Sequence, residues 1–291
     1  MITRRCTQRQ LLLRPDDEVN QIILYVMVLA AQLTGVLVIL PSVQANHHHT
    51  IVHDPHGRIV EFYEYLHKMT ARAINRVRGR FENLWSSEQT SVVRLVGLED
   101  IIDKIVYAAT NPVKDGLVAR VHQWPGVNGL RALLKQRTIV VKRPRRFFSA
   151  NSGLPDEIEL TLGLPPELGD TEAILAEIER RVAAAEADAA AHRARTGARV
   201  LGRRGVLRQS WRDEPGSREP RFGIRPQVAC RNRWAREEAL RRNYEFLDAY
   251  AAARAQWLAG VLTVFPAGTY WLRRFANVPV APYARTTPIP S

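Results

Sequence analysis

An uncharged apolar run over residues 22–40 is the feature that most constrains the fold of this chain. It is long enough to span a bilayer as a single helix. Asp16 precedes it as a helix-start residue, and Gly35 suits the left-handed end of a helix. The segment after the glycine has the continuous apolar pattern of a buried strand. We therefore predict a core helix over residues 16–34 and a strand over 36–44, with a membrane span as the alternative.

The first 135 residues alternate between strand and helix patterns. The predicted elements are, in order, a short strand near Thr3, the helix and strand just described, a strand over 47–53, a helix over 60–78, a strand over 91–96 and a helix from Leu98 that Pro112 stops or kinks. This βαββαβα order predicts an α+β fold in which helices flank an antiparallel β-sheet.

Charge and cysteine content narrow the class of protein. Lys+Arg 42 against Asp+Glu 29 gives a net charge of +13, which favours a polyanionic partner such as nucleic acid. A basic protein without such a partner is the alternative. Cys6 and Cys230 are the only cysteines, so the chain has no disulfide framework and a reducing compartment is expected.

The chain changes character after residue 135, where we predict a basic, mainly α-helical extension over 136–278 and a disordered tail over 279–291. Asp170 suits the start of a long helix, and a second long helix is expected over 233–262. Arginines interleaved with aromatic residues favour phosphate contact and base stacking, while packing or oligomerisation is the alternative role. The candidate DNA-binding residues of this region are Arg143, Arg145, Arg146, Arg203, Arg204 and Trp211, with Phe222 and Trp234 as interleaved aromatics.

Two short motifs carry the candidate chemistry. On a strand, His47 and His49 share one face and His48 faces the other. On a helix, Tyr107 and Asn111 stand one turn apart. One close approach of strand to helix would join two imidazoles, a carboxamide and a phenol, as a divalent-metal site with a tyrosine nucleophile. Each motif alone also fits structural histidines, a half-buried tyrosine and a helix-end asparagine.

A zinc site is a further alternative, because histidine suits zinc better than magnesium. It would need a third or fourth ligand at suitable spacing. His53 and His56 are the candidates in sequence, although a turn at the end of the strand would carry them away from the pair.

These residues together resemble a known family. Asn46-His-His-His49, Leu84-Trp85 and Tyr107-x-x-x-Asn111-Pro-Val-Lys-Asp-Gly-Leu-Val, followed by Trp124-Pro125, are similar to the pattern of the REP-associated tyrosine transposases, of the HUH single-tyrosine superfamily. The resemblance covers about residues 3 to 130. One position departs from the pattern: His48 stands where a bulky hydrophobe is usual, so it either faces the core with a hydrogen-bond partner or becomes a ligand through a register slip.

The resemblance implies a catalytic domain over residues 1–135 with a ferredoxin-like HUH nuclease core. It implies Tyr107 as nucleophile and His47, His49 and Asn111 as ligands of Mg²⁺ or Mn²⁺. The implied reaction is nicking and joining of single-stranded or hairpin DNA through a 5′-phosphotyrosine, in the bacterial cytoplasm near the nucleoid and without stable membrane association. A homodimer is left open. Candidate DNA contacts in this domain are Arg4, Arg5, Arg9 and Gln89.

Two other functions are compatible with the sequence. One is a domesticated DNA-binding protein that has lost cleavage. The other is a membrane protein anchored by residues 22–40.

Overall fold

The structure is a computed structural model that describes residues 1–149, 151–216 and 226–283. The strands are β1 Ile2–Arg5, β2 Leu37–Val43, β3 His47–His53, β4 Ser91–Val92, β5 Arg94–Leu95, β6 Ile139–Lys142, β7 Glu157–Leu160 and β8 Val228–Ala229. The helices are α1 Asp17–Thr34, α2 Ile59–Arg78, α3 Leu98–Lys114, α4 Leu130–Leu134, α5 Thr171–Thr196, α6 Gly202–Arg208, α7 Arg233–Leu258 and α8 Tyr270–Phe275.

A four-stranded sheet in the order β2-β3-β1-β4 forms the centre of the N-terminal part, and all its pairs are antiparallel. The predicted α+β class with helices around an antiparallel sheet is therefore confirmed. The strand expected over 91–96 is split in two, because β4 pairs with β1 whereas β5 pairs in parallel with β8 from the C-terminal region.

The apolar run folds as the predicted helix and strand. Asp16 caps α1 by accepting a hydrogen bond from the Val19 N–H, and Gly35 ends the helix at φ 71°. β2 follows, with six of its seven residues buried. Among the described residues, no helix is long and apolar enough to cross a membrane.

Helices cover both faces of the sheet. α1 and α2 pack against each other on one face, and α3 lies over β2 and β3 on the other. Because strand side chains alternate, each strand supplies residues to both layers. The face that α3 covers carries the candidate functional residues.

The C-terminal region is continuous with this core. The β6-β7 hairpin packs on α1, and α5 packs on α3. The long helices α5 and α7 begin at the predicted residues, but α7 ends at Leu258 rather than Leu262. Within the predicted tail, Pro279 and Ala281 form backbone hydrogen bonds with Phe265. Residues 284–291, and Phe222 with its neighbours, lie outside the described residues.

Candidate active site

Strand β3 places the histidines on opposite faces of the sheet. It pairs with β1 so that His49 lies opposite Thr3, His48 opposite Arg4 and His47 opposite Arg5. The rings of His47 and His49 lie edge to face with their centroids 4.9 Å apart. The pair thus occupies the α3 face of the sheet, as the two-residue period of a strand requires.

Helix α3 brings Tyr107 to the same place. The Tyr107 and His49 ring centroids are 5.3 Å apart, and the tyrosine remains 39% exposed. Asn111 stands one turn further along α3 and is buried. The strand and the helix therefore approach each other at the point where their two motifs lie.

Hydrogen bonds orient both imidazoles. Asn46 donates from Nδ2 to the Arg9 carbonyl, so its Oδ1 accepts from Nδ1 of His47 at 2.7 Å. Nδ1 of His49 lies 2.8 Å from Oγ1 of Thr3. With its proton on Nδ1, His49 keeps a lone pair on Nε2. Thr3 and Asn46 thus orient the two imidazoles, a role that the sequence did not predict for either residue.

Two buried polar atoms at this point have no hydrogen-bond partner in the described residues: Nε2 of His49 and Oδ1 of Asn111. Buried polar atoms are nearly always paired, so such atoms call for a reason. Both are atom types that ligate divalent cations. The donor set therefore suits a metal ion held by neutral imidazole and amide oxygen.

The charge state of the histidines is compatible with that role. Burial, reinforced by the nearby charges of Arg5 and Arg9, lowers the pKa of His47 to about 4. Burial also lowers the pKa of His49 well below its ordinary value, and His47, His48, Lys104 and the Met1 amino group act in the same direction. Both rings are neutral at pH 7, which is the form that binds metal.

In the described part of the chain, no third histidine or acid joins the pair. Among the described residues, no group of three or more His, Cys, Asp or Glu side chains could hold a metal ion. Instead of approaching the pair, His53 contacts Glu167 at 3.1 Å. A zinc site with His53 as a ligand is therefore not formed, and the amide of Asn111 is the remaining candidate donor.

Of the two effects predicted for Pro112, a stop or a kink, the stop is wrong, because α3 continues to Lys114. A proline at this point leaves the Ala108 carbonyl without its helical N–H donor. The hydroxyl of Ser42 on β2 donates to that carbonyl at 2.7 Å instead. This bond replaces the helical hydrogen bond that the proline removes, and it connects the helix to the sheet directly beside Tyr107.

His48 has the first of its two expected orientations. It is buried on the α1 and α2 side, with Nδ1 bonded to Thr50 and Nε2 only 2.8 Å from Nε2 of His67. Arg4 donates to Nδ1 of His67, so His67 must donate from Nε2 to His48. A directional chain of hydrogen bonds thus satisfies the unusual middle histidine.

The other candidate DNA contacts in the N-terminal part lie in different places. Arg4 belongs to the buried chain and also lies over the Trp85 ring, across the sheet from the histidine pair. Arg5 and Arg9 are close enough to His47 for their charges to lower its pKa. Arg5 also lies 3.7 Å from Glu88, in the loop that carries Gln89.

The C-terminal candidates are separate from this site. Arg143 binds Asp156 and the Leu154 carbonyl, and Arg146 lies 3.3 Å from Glu18. Together with Arg145 they line an open groove beside α1. Arg203 and Arg204 lie on the exposed side of α6, and the ring of Trp211 stacks against the guanidinium groups of Arg78 and Arg212.

No protein-family model matches the chain, and no curated protein matches it. Among solved structures, a REP-associated tyrosine transposase bound to a REP hairpin aligns with a TM-score of 0.38 and 19% sequence identity. The alignment covers 46% of this chain and 78% of that one. A similarity of this size leaves function to be inferred from the site itself.

Proposed function

We propose that this protein is a metal-dependent DNA transposase-like enzyme of the HUH tyrosine type, which nicks and joins single-stranded DNA through Tyr107. The observation that carries the proposal is the meeting of His49, Tyr107 and Asn111, where two buried ligand-type atoms have no partner in the described residues. The basic character of the chain and the order of its motifs agree with a DNA substrate.

The side chains present suit this chemistry. The exposed phenol of Tyr107 can reach a phosphodiester, and its oxygen would attack phosphorus as the proton leaves. A bond from the tyrosine oxygen to phosphorus forms, the bond to the 3′ oxygen breaks, and that oxygen takes up a proton. The products are a 5′-phosphotyrosine and a free 3′-hydroxyl. Attack by another 3′-hydroxyl reverses the exchange and joins a new strand without ATP.

Mg²⁺ or Mn²⁺ is the proposed cofactor, with His47, His49 and Asn111 as its protein ligands. When bound, the ion would offset the charge that develops on the non-bridging phosphate oxygens. Asn46 and Thr3 would hold the two imidazoles so that each presents Nε2.

The proposal is tested by covalent capture. Purified full-length protein is incubated with labelled single-stranded hairpin oligonucleotides carrying randomised flanks, with Mn²⁺ or Mg²⁺, and adducts are separated in SDS. We expect an adduct from the wild type and none from Tyr107→Phe, with DNA binding retained. Tyr244→Phe, at another exposed helical tyrosine, serves as the matched control and should behave as wild type.

Binding without an adduct under any of these conditions would contradict the proposed catalysis. That outcome would favour a DNA-binding protein without cleavage. An adduct that survives Tyr107→Phe would overturn the assignment of the nucleophile.

A further inference from the structure

Two lysines flank the ring of Tyr107. The ammonium nitrogen of Lys104 lies 5.7 Å from the ring centroid and that of Lys114 lies 5.3 Å from it. They precede and follow the tyrosine by three and seven residues, which puts all three side chains on one side of α3. Such placement over an aromatic ring is a cation–π contact, which does not use up the N–H donors of the ammonium group.

The charge of Lys104 also acts on the neighbouring strand. It contributes to the lowered pKa of His49 and to that of the Met1 amino group, after burial in both cases. Lys104 is therefore close enough to act on His49 and on the Met1 amino group as well as on the Tyr107 ring. No salt bridge to either lysine occurs within the described ranges, although the charge of Lys114 acts on its sequence neighbour Asp115 and partly offsets the rise that burial causes in the pKa of that carboxyl.

The acids on the first turns of α3 are engaged elsewhere. Glu99 and Asp103 bind the guanidinium of Arg181 from α5 at 2.7 and 2.9 Å. Asp100 accepts from the backbone N–H groups of Gly97 and Arg231. Since these carboxylates bind other groups, none of them forms an ion pair with Lys104 or Lys114 in the described residues, and the two ammonium groups can bind an anion.

We propose that Lys104 and Lys114 form a binding pair for one backbone phosphate of single-stranded DNA, held against the Tyr107 ring. This inference rests on the proposed function and adds two residues to it. An ammonium group is a compact donor that suits phosphate oxygens. Since each group is placed by the ring, the pair would hold the phosphate where the phenol oxygen can approach it.

Equilibrium binding tests the pair without any need for cleavage. In a Tyr107→Phe background, Lys104→Met and Lys114→Met remove the charge and keep the apolar stem. Anisotropy of a labelled single-stranded hairpin oligonucleotide gives the dissociation constant over a series of salt concentrations. We expect each substitution to weaken binding about tenfold, and the double substitution, which removes both contacts to the one phosphate, to reduce the slope of log K against log salt by about 0.7.

The matched controls are Lys135→Met, at an exposed lysine after α4, and the charge-conserving Lys104→Arg and Lys114→Arg. Lys135→Met should keep the parental affinity and slope, and the arginine variants should restore most of both. Equal behaviour of the Lys104, Lys114 and Lys135 methionine variants would overturn the inference.

A second measurement locates the phosphate. Oligonucleotides are prepared with a single neutral methylphosphonate at successive positions. One position should weaken binding by the parent and have little effect on the double methionine variant, because the phosphate and the lysines form one interaction. Additive losses at every position would overturn the inference.

The two proposals fail differently. If the parent binds and the lysine variants bind equally well, the phosphate pair is wrong while the proposed function stands. If the lysine substitutions weaken binding but the wild type forms no adduct, the phosphate-binding pair is supported and the proposed catalysis is wrong. If the parent binds no single-stranded DNA, both are overturned.

Discussion

At the scale of single residues, the orientation of the histidines depends on side chains that are proposed neither as metal ligands nor as the nucleophile. Oγ1 of Thr3 on β1 lies 2.8 Å from Nδ1 of His49 on β3. Outer hydrogen bonds of this kind fix which ring nitrogen faces a metal, and their loss commonly lowers metal affinity about 10- to 100-fold. Thr3 is therefore a direct test of whether His49 acts as a ligand.

We expect Thr3→Val to weaken Mn²⁺ binding by about 10- to 100-fold, because valine keeps the shape of the side chain but cannot bond to Nδ1. Isothermal titration of the metal-free protein measures this without DNA. Thr3→Ser should recover most of the affinity, and Thr138→Val, at an exposed threonine, should have no effect. Equal Mn²⁺ affinity in Thr3→Val and wild type would show that this bond does not support a metal ligand.

The sequence could predict part of this site. Strand alternation was sufficient to place His47 and His49 opposite His48, since it depends only on local geometry. Thr3 could not be identified, because it reaches His49 through the register between two strands. The contact between His67 and His48 could not be predicted either, because it depends on how α2 packs on the sheet.

At the scale of elements, one carboxylate joins the start of α1 to the end of α2. Asp16 caps α1 and also contacts Arg14 at 3.0 Å and Arg78 at 2.8 Å. Burial raises the pKa of Asp16, but the Val19 N–H and the two guanidinium groups outweigh it and leave the pKa below its ordinary value. A lowered carboxyl pKa stabilises the fold above the pKa of the unfolded chain, about 3.9, and this stability is lost as the pH falls through the folded value.

We expect Asp16→Asn to lower the free energy of unfolding by about 1–2 kcal/mol at pH 7, because asparagine can still cap the helix but carries no charge for Arg78. The difference from wild type should shrink below about pH 4. Urea unfolding at several pH values measures both effects. Asp170→Asn is the control, since Asp170 caps α5 without an ion pair in the described residues. A difference that stays constant down to pH 2 would contradict this assignment.

Helix ends were predictable where a single residue determines them. Asp16 and Gly35 lie at the expected ends of α1, and Asp170 lies at the expected start of α5. The sequence left open whether α3 stops or continues at Pro112, and the Ser42 hydroxyl that bonds to the Ala108 carbonyl comes from a distant strand that local sequence cannot place. The β6-β7 hairpin was also missed, since its four-residue strands lie within a basic, proline-containing stretch.

At the scale of the whole molecule, the sequence suggested a catalytic part and an extension that meet near residue 135, whereas the apolar core crosses that point. Ile158 of β7 and Ile178 of α5 belong to the same buried cluster as Ile51 of β3. The change in composition near residue 135 indicates where the surface of the protein becomes more basic. It does not show whether the apolar core ends there, because that depends on tertiary packing.

We expect Ile178→Ala, at a side chain with 0% exposure, to destabilise β3 as well as α5. The cavity should lower the free energy of unfolding by about 2–5 kcal/mol, because a buried isoleucine loses both its apolar transfer and its packing contacts. Hydrogen exchange followed by mass spectrometry on peptides from β1 and β3 measures the effect inside the N-terminal part. Leu262→Ala, at a leucine 88% exposed, is the control and should leave exchange unchanged. Faster exchange confined to α5 would instead mean that the extension unfolds separately from the sheet that carries the histidines.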